Sequence, residues 1–376
     1  MYNSKPEVIV IQLWEGAVSD IYDRLRERLD MFPQGFPRTE SGVELEILRR
    51  LFTPSQAELM FGLRPFPEKV ADIAERVGKD KAELAEALYE MSRKGLIMRC
   101  KGPDNELYYS LIPWVIGIWE FQLKNLTPEN IELFEKYFEE GMAPLQQKLK
   151  MGGFRVIPVE KEIEGTTEIQ PYESVSKILE SQTRFAVAEC ICRKESRMLG
   201  KGCDKLLETC LSFGAAADFY IENGLGREIS KEEAKQILLK AEEQGLVHCS
   251  TNSAGSKTFI CNCCGCCCKY LAIVTKYGNP QAIVKSNYYA TKDQKTCINC
   301  GICVERCQVN AIRTEKDVII IDKEKCIGCG VCASTCPTKS IKMIRKPPEE
   351  ASPIFPSGKT LLQALGKETG KTFPFA

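Results

Sequence analysis

Cysteine dominates the chemistry that this sequence can perform. The chain has 376 residues and 20 cysteines, nineteen of which lie between positions 190 and 336. No export signal is recognisable, so we expect a cytoplasmic protein whose thiols stay reduced and bind metal instead of forming disulfides. The single histidine, His248, disfavours mixed Cys/His zinc sites and most imidazole-based acid–base catalysis.

Two cysteine runs near the C-terminal end have the same spacing. Residues 297–307 read CINCGICVERC and residues 326–337 read CIGCGVCASTCP, an offset of 29 residues (326 minus 297). Three cysteines in each run are two residues apart, and the fourth follows after three more. Such a tight loop can bind three irons of one cubane, while the fourth thiolate binds the other cubane. Paired zinc knuckles are the disfavoured alternative, because zinc sites rarely use tandem four-cysteine runs.

This spacing resembles that of bacterial-type ferredoxins with two [4Fe–4S] clusters. The resemblance implies two ligand sets that exchange their fourth cysteine. The first set is Cys297, Cys300, Cys303 and Cys336, and the second is Cys326, Cys329, Cys332 and Cys307. Pro337 follows Cys336 as the family pattern requires, but Gln308 replaces the corresponding proline after Cys307. Because of this departure, the family pattern predicts the second cluster but not its solvent shielding or its reduction potential.

A second group of cysteines lies in the middle of the chain. The stretch ECICRKESRMLGKGCDKLLETC supplies Cys190, Cys192, Cys203 and Cys210, and CNCCGCCC supplies Cys261, Cys263, Cys264, Cys266, Cys267 and Cys268. These ten thiols suit one or two further [4Fe–4S] clusters, with zinc or redox-active thiols as alternatives. Because side chains alternate along a strand, we expect Cys261 and Cys263 to face one cluster, and Cys264, Cys266 and Cys268 another.

The other residues of this region have simpler interpretations. Cys100 and Cys249 are predicted to be small core residues. His248 is predicted to be a hydrogen-bonded residue at a helix–strand junction, with a role as iron ligand or as donor to cluster sulfur as the alternative. The preceding helix is predicted from the N-cap Ser230, an apolar stripe and the stop signal Gly245.

Residues 43–121 have the pattern of a different domain. Helices are predicted from Pro54, at 70–77 and at 80–94, and are followed by strands at 96–99 and 107–109. A helix–turn–helix followed by a hairpin resembles the winged-helix domain of bacterial regulators. Residues 43–120 contain 13 acidic and 11 basic residues, whereas DNA-binding domains are biased towards basic residues. A docking or structural role is therefore favoured over DNA binding.

These features predict an α+β multidomain chain. The expected parts are an N-terminal arm (1–42), a winged-helix-like domain (43–121), a helical connector (122–180), a cysteine-rich, mostly helical Fe–S domain (181–285), a 2[4Fe–4S] ferredoxin domain (286–345) and a Pro-rich tail (346–376). The apolar segment 111–121 is predicted to be buried between domains, with partner docking as the alternative. The apolar stretch Val8–Trp14 is too short to span a bilayer, and no later segment is long enough.

The combination resembles a group of 4Fe–4S dicluster domain proteins of anaerobes. The matching stretches are an ECICR-like run at 189–193, a GREIS…GLVH helix at 226–248, an ICNCC-type run at 260–268 and the ferredoxin pair at 297–337. The resemblance implies a cytosolic iron–sulfur protein that transfers electrons, and it names no substrate.

Three classes of function remain open. An electron-transfer protein or oxidoreductase subunit is favoured, because neither a GxGxxG nor a GxxxxGK[ST] phosphate loop is present. The alternative is a redox-sensing winged-helix regulator, and the third class is an enzyme with an open iron, disfavoured by the surplus of thiols. With 51 acidic and 51 basic residues, no bulk charge attracts DNA or a membrane. Expected partners are redox donor and acceptor proteins, with the chain as a homo-oligomer or a subunit of a larger complex.

Overall fold

A computed structural model describes residues 20–165 and 169–371 of the chain. The stretch Val8–Trp14 lies outside the described residues. The fold is a mixture of helices and strands, as predicted. The first elements are α1 (Ile21–Asp30), α2 (Val43–Leu51), α3 (Pro54–Gly62), β1 (Glu68–Lys69), α4 (Val70–Val77), α5 (Lys81–Arg93), β2 (Met98–Lys101) and β3 (Leu107–Ser110). The three strands form an antiparallel sheet in the order β1-β3-β2.

The elements predicted between residues 53 and 110 are present, with ends that differ by at most two residues. Thr53 forms a capping box with Gln56 at the start of α3, and the Asp80 side chain accepts from two backbone N–H groups of α5. Assignment of this region as a winged helix stays a prediction. Residues 20–42, part of the expected N-terminal arm, include α1, whose Leu25 and Leu29 are fully buried.

A seven-stranded sheet organises the middle of the chain. The next elements are α6 (Pro128–Tyr137), α7 (Ala143–Lys148), β4 (Phe154–Ile157), α8 (Val175–Glu180), β5 (Phe185–Glu189), α9 (Ile191–Met198), β6 (Glu208–Phe213), α10 (Ala215–Glu222), β7 (Gly226–Glu228), α11 (Lys231–Glu243), β8 (Val247–Thr251), β9 (Phe259–Cys263), α12 (Lys269–Thr275) and β10 (Ile283–Val284). The strand order is β10-β4-β8-β9-β6-β5-β7. The expectation of a mostly helical cysteine-rich domain is not confirmed, because cysteine-bearing segments such as β6, β8 and β9 pair as strands.

The C-terminal part contains two small sheets and ends in a helix. Its elements are β11 (Tyr288–Lys292), α13 (Ile302–Arg306), β12 (Ile312–Glu315), β13 (Val318–Ile321), β14 (Ile341–Arg345) and α14 (Gly358–Thr369). Strand β11 pairs with β14, and β12 pairs with β13. The expected Pro-rich tail packs against the sheet, since the buried Arg155 on β4 donates to the carbonyl oxygens of Ser352 (2.8 Å) and Pro353 (2.6 Å).

Most of the segment 111–121 is buried, as predicted, and Ile116 is its one exposed residue. Trp114 and Trp119 are 3% and 6% exposed, within a core that also includes Phe219 and Tyr220 of α10. Arg99 of β2 is nearly fully buried and donates to a Glu222 carboxylate oxygen at 2.8 Å. The N-terminal hairpin is thus packed on the cysteine-bearing middle region.

Candidate metal centres

The 29-residue repeat is visible in the backbone around the C-terminal cysteines. Positive φ angles recur at this offset, 51° at Asn299 and 70° at Gly328, then 81° at Gly301 and 80° at Gly330. A Cβ atom on Gly328 would lie 2.2 Å from the Tyr288 carbonyl oxygen, so this position requires glycine. Both cysteine loops therefore turn in the same way.

The structure gathers the eight cysteines of these loops into two quartets. The outer quartet, which lines one small cavity, is Cys297, Cys300, Cys303 and Cys336. The inner quartet, which lines another, is Cys307, Cys326, Cys329 and Cys332. Each quartet takes its fourth cysteine from the other run, in the arrangement that the ferredoxin resemblance implies. Among the described residues, the one group of metal-ligating side chains that meets within 4.8 Å lies elsewhere. The wider spacing within each quartet fits a cubane, whose four irons separate the thiolates.

The fourth cysteine of each run has a hydrogen-bond partner four positions later. The backbone N–H of Ala311 donates to Cys307 Sγ at 3.1 Å, and the Ser340 hydroxyl lies 3.2 Å from Cys336 Sγ. Burial acts to raise the pKa of Cys336, but the Ser340 hydroxyl and nearby backbone N–H groups lower it to about 7. Both contacts favour the thiolate form that binds iron.

The two quartets differ in their exposure. Cys300 of the outer quartet is exposed, and the neighbouring Ile298 is 63% exposed. In the inner quartet Cys326 and Cys332 are buried, and burial raises the pKa of Cys329 to about 12. The outer quartet is therefore the more exposed of the two.

Gln308, the departure from the ferredoxin pattern, joins the inner quartet to the CNCCGCCC run. Its Oε1 accepts from the backbone N–H of Gly265 at 2.8 Å. A proline at this position has no side-chain acceptor and could not make that bond. The neighbouring Arg306 donates to the backbone oxygens of Glu242 (2.6 Å) and Glu243 (2.8 Å). Gln308 thus stabilises the contact between the two cysteine-bearing regions.

Four thiols of the middle region converge on one point. This tetrathiol site consists of Cys203, Cys264, Cys266 and Cys267, whose sulfur atoms all lie within 4.8 Å of one another. Cys203 comes from the loop between α9 and β6, and the other three come from the turn after β9.

Arg193 is the cation of the tetrathiol site. This side chain is fully buried and donates to Cys264 Sγ (3.5 Å) and to the Asn262 carbonyl oxygen (3.1 Å). Burial acts to lower the pKa of Arg193, but the thiolates of Cys190 and Cys264 raise it. A hydrogen bond from Cys267 and the charge of Arg193 in turn lower the pKa of Cys264 to about 4, against the effect of burial. Arg193 thus favours the thiolate form of Cys264, whereas burial raises the pKa of Cys266 to about 12 and the hydrogen bond with Cys264 raises the pKa of Cys267.

Nine cysteines line a single cavity of about 210 Å³; Cys264 and Cys267 of the tetrathiol site and Cys249 of β8 are three of them. The other six, from which we name it the six-thiol cavity, are Cys190, Cys192, Cys210, Cys261, Cys263 and Cys268. Cys190 is the N-cap of α9, a position where the helix dipole favours a thiolate. A hydrogen bond from Cys192, and then the charge of Arg193, lower the pKa of Cys190 against burial. No three of these thiols meet within 4.8 Å among the described residues, so they surround a space instead of a single ion.

The expected alternation of the CNCCGCCC run holds in part. Cys261 and Cys263 line the six-thiol cavity, while Cys264 and Cys266 belong to the tetrathiol site, although Cys264 also lines the cavity. Cys268 departs from the prediction, because its thiol interacts with those of Cys192 and Cys263. Strand β9 ends at Cys263, and the turn that follows abolishes the two-residue alternation.

Sequence reasoning missed two residues of the cavity, Cys249 and Glu120. Cys249 is buried like the core residue that was predicted, but it also lines the cavity, and its partner in the β8–β9 register is Cys261. Glu120 accepts from the backbone N–H of Gly117 at 2.8 Å, and burial raises its pKa to about 8. The sequence signal that could have identified Glu120 is its position as the one acidic residue in the otherwise apolar stretch 111–121.

The two ring nitrogens of His248 lie within hydrogen-bond distance of oxygen atoms. Its side chain is buried, with Nδ1 2.6 Å from Asn262 Oδ1 and Nε2 3.1 Å from Glu242 Oε1. Both ring nitrogens therefore have partners, which fits the structural interpretation of this residue.

Residues 290–343 match the family model of the 4Fe–4S dicluster domain. Comparison of the chain with curated proteins and with solved structures gives no significant match. The match includes all eight cysteines of the two quartets, so this C-terminal region is a ferredoxin-type dicluster domain, which implies [4Fe–4S] clusters and iron–sulfur electron transfer. Among the helices of the described residues, none has both the length and the apolarity needed to cross a membrane.

Proposed function

We propose that this chain is an electron-transfer protein, or a subunit of an oxidoreductase, that relays single electrons between a partner protein and the six-thiol cavity. A [4Fe–4S] cluster, when bound, accepts and releases one electron at a time. The observation that carries the proposal is the bond from Gly265 to Gln308 at 2.8 Å. Gln308 follows Cys307 of the inner quartet, and Gly265 lies between Cys264 and Cys266. The dicluster domain thus touches the cysteine run of the middle region.

Exposure supports an order along the relay. The outer quartet is accessible at Cys300 and is flanked by the exposed side chains of Ile298 and Ile302. The inner quartet is covered by the middle region, where the backbone N–H of Val159 donates to the Cys329 carbonyl oxygen at 2.9 Å. A redox partner would therefore exchange electrons at the outer quartet, and the inner quartet would communicate with the middle region.

A third [4Fe–4S] cluster in the six-thiol cavity would complete the relay. Six thiols exceed the four that a cubane needs, and among the described residues no three of them meet within 4.8 Å, which fits ligands of a multi-iron cluster better than ligands of a single ion. The neighbouring Arg193 supplies a positive charge that offsets thiolate charge. We place the chain in the reducing cytoplasm, where thiols stay available as metal ligands.

The N-terminal region, which we interpret as a winged helix, is proposed to dock and support the relay without binding DNA. Helix α5 presents Glu83, Glu86 and Glu90 to solvent, and a phosphate backbone would repel these carboxylates. The hairpin residue Arg99 is nearly fully buried against Glu222 of the middle region and is not free to contact a nucleic acid.

The test is to count the electrons that the anaerobically purified full chain accepts from reduced methyl viologen. The wild-type chain is expected to accept one electron more than Cys268→Ser, while both keep the EPR signals of the dicluster domain. Cys100→Ser, which changes a cysteine of the N-terminal hairpin, is the matched control and should behave as wild type. Equal electron uptake by wild type and Cys268→Ser would overturn the proposal of a redox site in the cavity.

A further inference from the structure

We infer that the tetrathiol site, formed by Cys203, Cys264, Cys266 and Cys267, binds one tetrahedrally coordinated metal ion, zinc or iron, and not a [4Fe–4S] cluster. This inference goes beyond the proposed function, which requires the dicluster domain and the six-thiol cavity alone. It assigns the middle region two different kinds of site.

The sulfur–sulfur distances are those of ligands that share a single ion. Cys203 Sγ lies 3.8 Å from Cys264 Sγ and 3.8 Å from Cys267 Sγ, and Cys267 Sγ lies 3.7 Å from Cys266 Sγ. Zinc–thiolate bonds are about 2.3 Å long, and the edge of a tetrahedron is about 1.63 times its centre-to-corner distance, which gives about 3.8 Å between ligand sulfurs. The measured separations agree with this value.

The dicluster domain provides an internal comparison. Its two quartets hold the same number of thiols, but neither brings even three of them within 4.8 Å, whereas the tetrathiol site brings all four that close. Ligands of a cubane stand farther apart, because each thiolate binds a different iron at a corner of the cluster. The same chain therefore has the wide spacing where the family match implies cubanes, and the narrow spacing at this one place in the described residues.

The surroundings hold these thiols in place. Arg197 donates to the backbone oxygens of Cys203 (2.9 Å) and Lys205 (2.6 Å), which fixes the loop that presents Cys203. Arg193 donates to Cys264 Sγ at 3.5 Å and supplies a buried positive charge beside four thiolates and a divalent ion, whose sum is −2. Two arginines on one helix, α9, thus serve the two segments that form the site.

The ligand set selects the ion. Four thiolates favour zinc or iron over calcium, magnesium or manganese, which prefer oxygen ligands. Four protein ligands leave no open position, so the ion would serve structure or one-electron transfer and would not bind a substrate. Since Gly265 lies within the site and contacts Gln308, the ion would also fix the turn on which the dicluster domain rests.

The first test compares metal with acid-labile sulfide in the anaerobically purified wild-type chain. Each cubane contributes equal numbers of iron and sulfide, whereas a mononuclear site contributes a metal without sulfide. We expect iron plus zinc to exceed sulfide by about one per chain. An excess of zinc identifies a zinc site, and an excess of iron identifies a mononuclear iron site. Equal totals of metal and sulfide would overturn the inference.

The second test uses Cys203→Ser and Cys266→Ser, which alter ligands from separate segments, with Cys100→Ser as the control. Each ligand variant should lose about one metal ion and no sulfide, and should keep the EPR signals of the dicluster domain. A loss of about four irons and four sulfides would assign a cubane and refute the inference. The wild-type ratio remains decisive if a variant does not fold. If the proposed electron relay is wrong and the metal site is right, sulfide content and electron uptake per chain would be lower than the relay predicts, but the excess of metal over sulfide would remain.

Discussion

Replacement of Gly265 by alanine tests whether the dicluster domain must dock on the turn of the cysteine run. A Cβ atom at this position would lie 2.3 Å from the Gln308 backbone oxygen and 3.1 Å from its carbonyl carbon. Since ordinary contacts of this kind begin at 3.4 Å, the two backbones must separate by roughly 1 Å. The hydrogen bond from Gly265 to Gln308, now 2.8 Å, would then exceed the range of a hydrogen bond.

The cost follows from the size of this overlap. Overpacking of this kind costs about 1–3 kcal/mol, which for a chain of this size lowers the melting temperature by about 1–4 °C. Thermal unfolding under anaerobic conditions measures the loss of stability. Stopped-flow reduction measures how fast electrons that arrive at the dicluster domain reach the middle region, and we expect this step to slow in Gly265→Ala.

Gly255→Ala is the matched control. Its Cβ atom would meet the nearest heavy atom, the Pro356 oxygen, at 3.5 Å, and its φ angle is not in the left-handed region. Neither glycine is a metal ligand, so metal and sulfide contents should stay at the wild-type level in both variants. If Gly265→Ala melts and transfers electrons like Gly255→Ala, then the contact with Gln308 does not couple the two regions.

Three further predictions address single sites. Ser340→Ala removes the hydroxyl that lies 3.2 Å from Cys336 Sγ and that would stabilise the more negative, reduced form of a cluster in the outer quartet. A loss of about 1 kcal/mol lowers the reduction potential of that cluster by roughly 40 mV, which an EPR-monitored titration measures. Ser334→Ala, the control, removes a hydroxyl that donates to a backbone oxygen and leaves this potential unchanged. Glu120 lowers the free energy of unfolding as the pH rises from about 4.5 towards about 8, because its carboxyl keeps a proton in the folded chain that the unfolded chain releases. Glu120→Gln removes this contribution, which is up to about 1.4 kcal/mol per pH unit. If melting curves from pH 5 to 9 give the same pH dependence for wild type and variant, the carboxyl is not buried in its neutral form. Cys326→Ala should abolish the EPR signal of the inner quartet's cluster and spare that of the outer quartet, so loss of both without unfolding would refute separate ligand sets.

Local features of the fold could be predicted from the sequence. The N-caps Thr53, Asp80 and Ser230 each start a helix, because their side chains satisfy backbone N–H groups that no helical carbonyl can reach. The shared spacing of the two cysteine runs showed the resemblance to bacterial-type ferredoxins, and that resemblance implied the exchange of the fourth cysteine between the runs. Such signals act over a few residues, or repeat, and can be read without knowledge of the tertiary structure.

Long-range pairing could not be predicted. Strand β4, within the expected helical connector, pairs with β8, and nothing local marks Phe154–Ile157 as the partner of a strand about ninety residues later. Cys249 joins the cavity because the β8–β9 register sets it opposite Cys261. Glu120 and Trp119 were correctly placed in a buried segment, but an apolar pattern does not reveal that a thiol-lined cavity lies beside it.

The most direct test of the central claim is to measure iron and acid-labile sulfide per chain in protein purified without oxygen, with EPR after reduction. A relay that includes a cluster in the six-thiol cavity predicts about 12 sulfides per chain and a third reducible signal beside those of the dicluster domain. About 8 sulfides, with signals from the dicluster domain alone, would contradict the relay and leave the six-thiol cavity without a cluster.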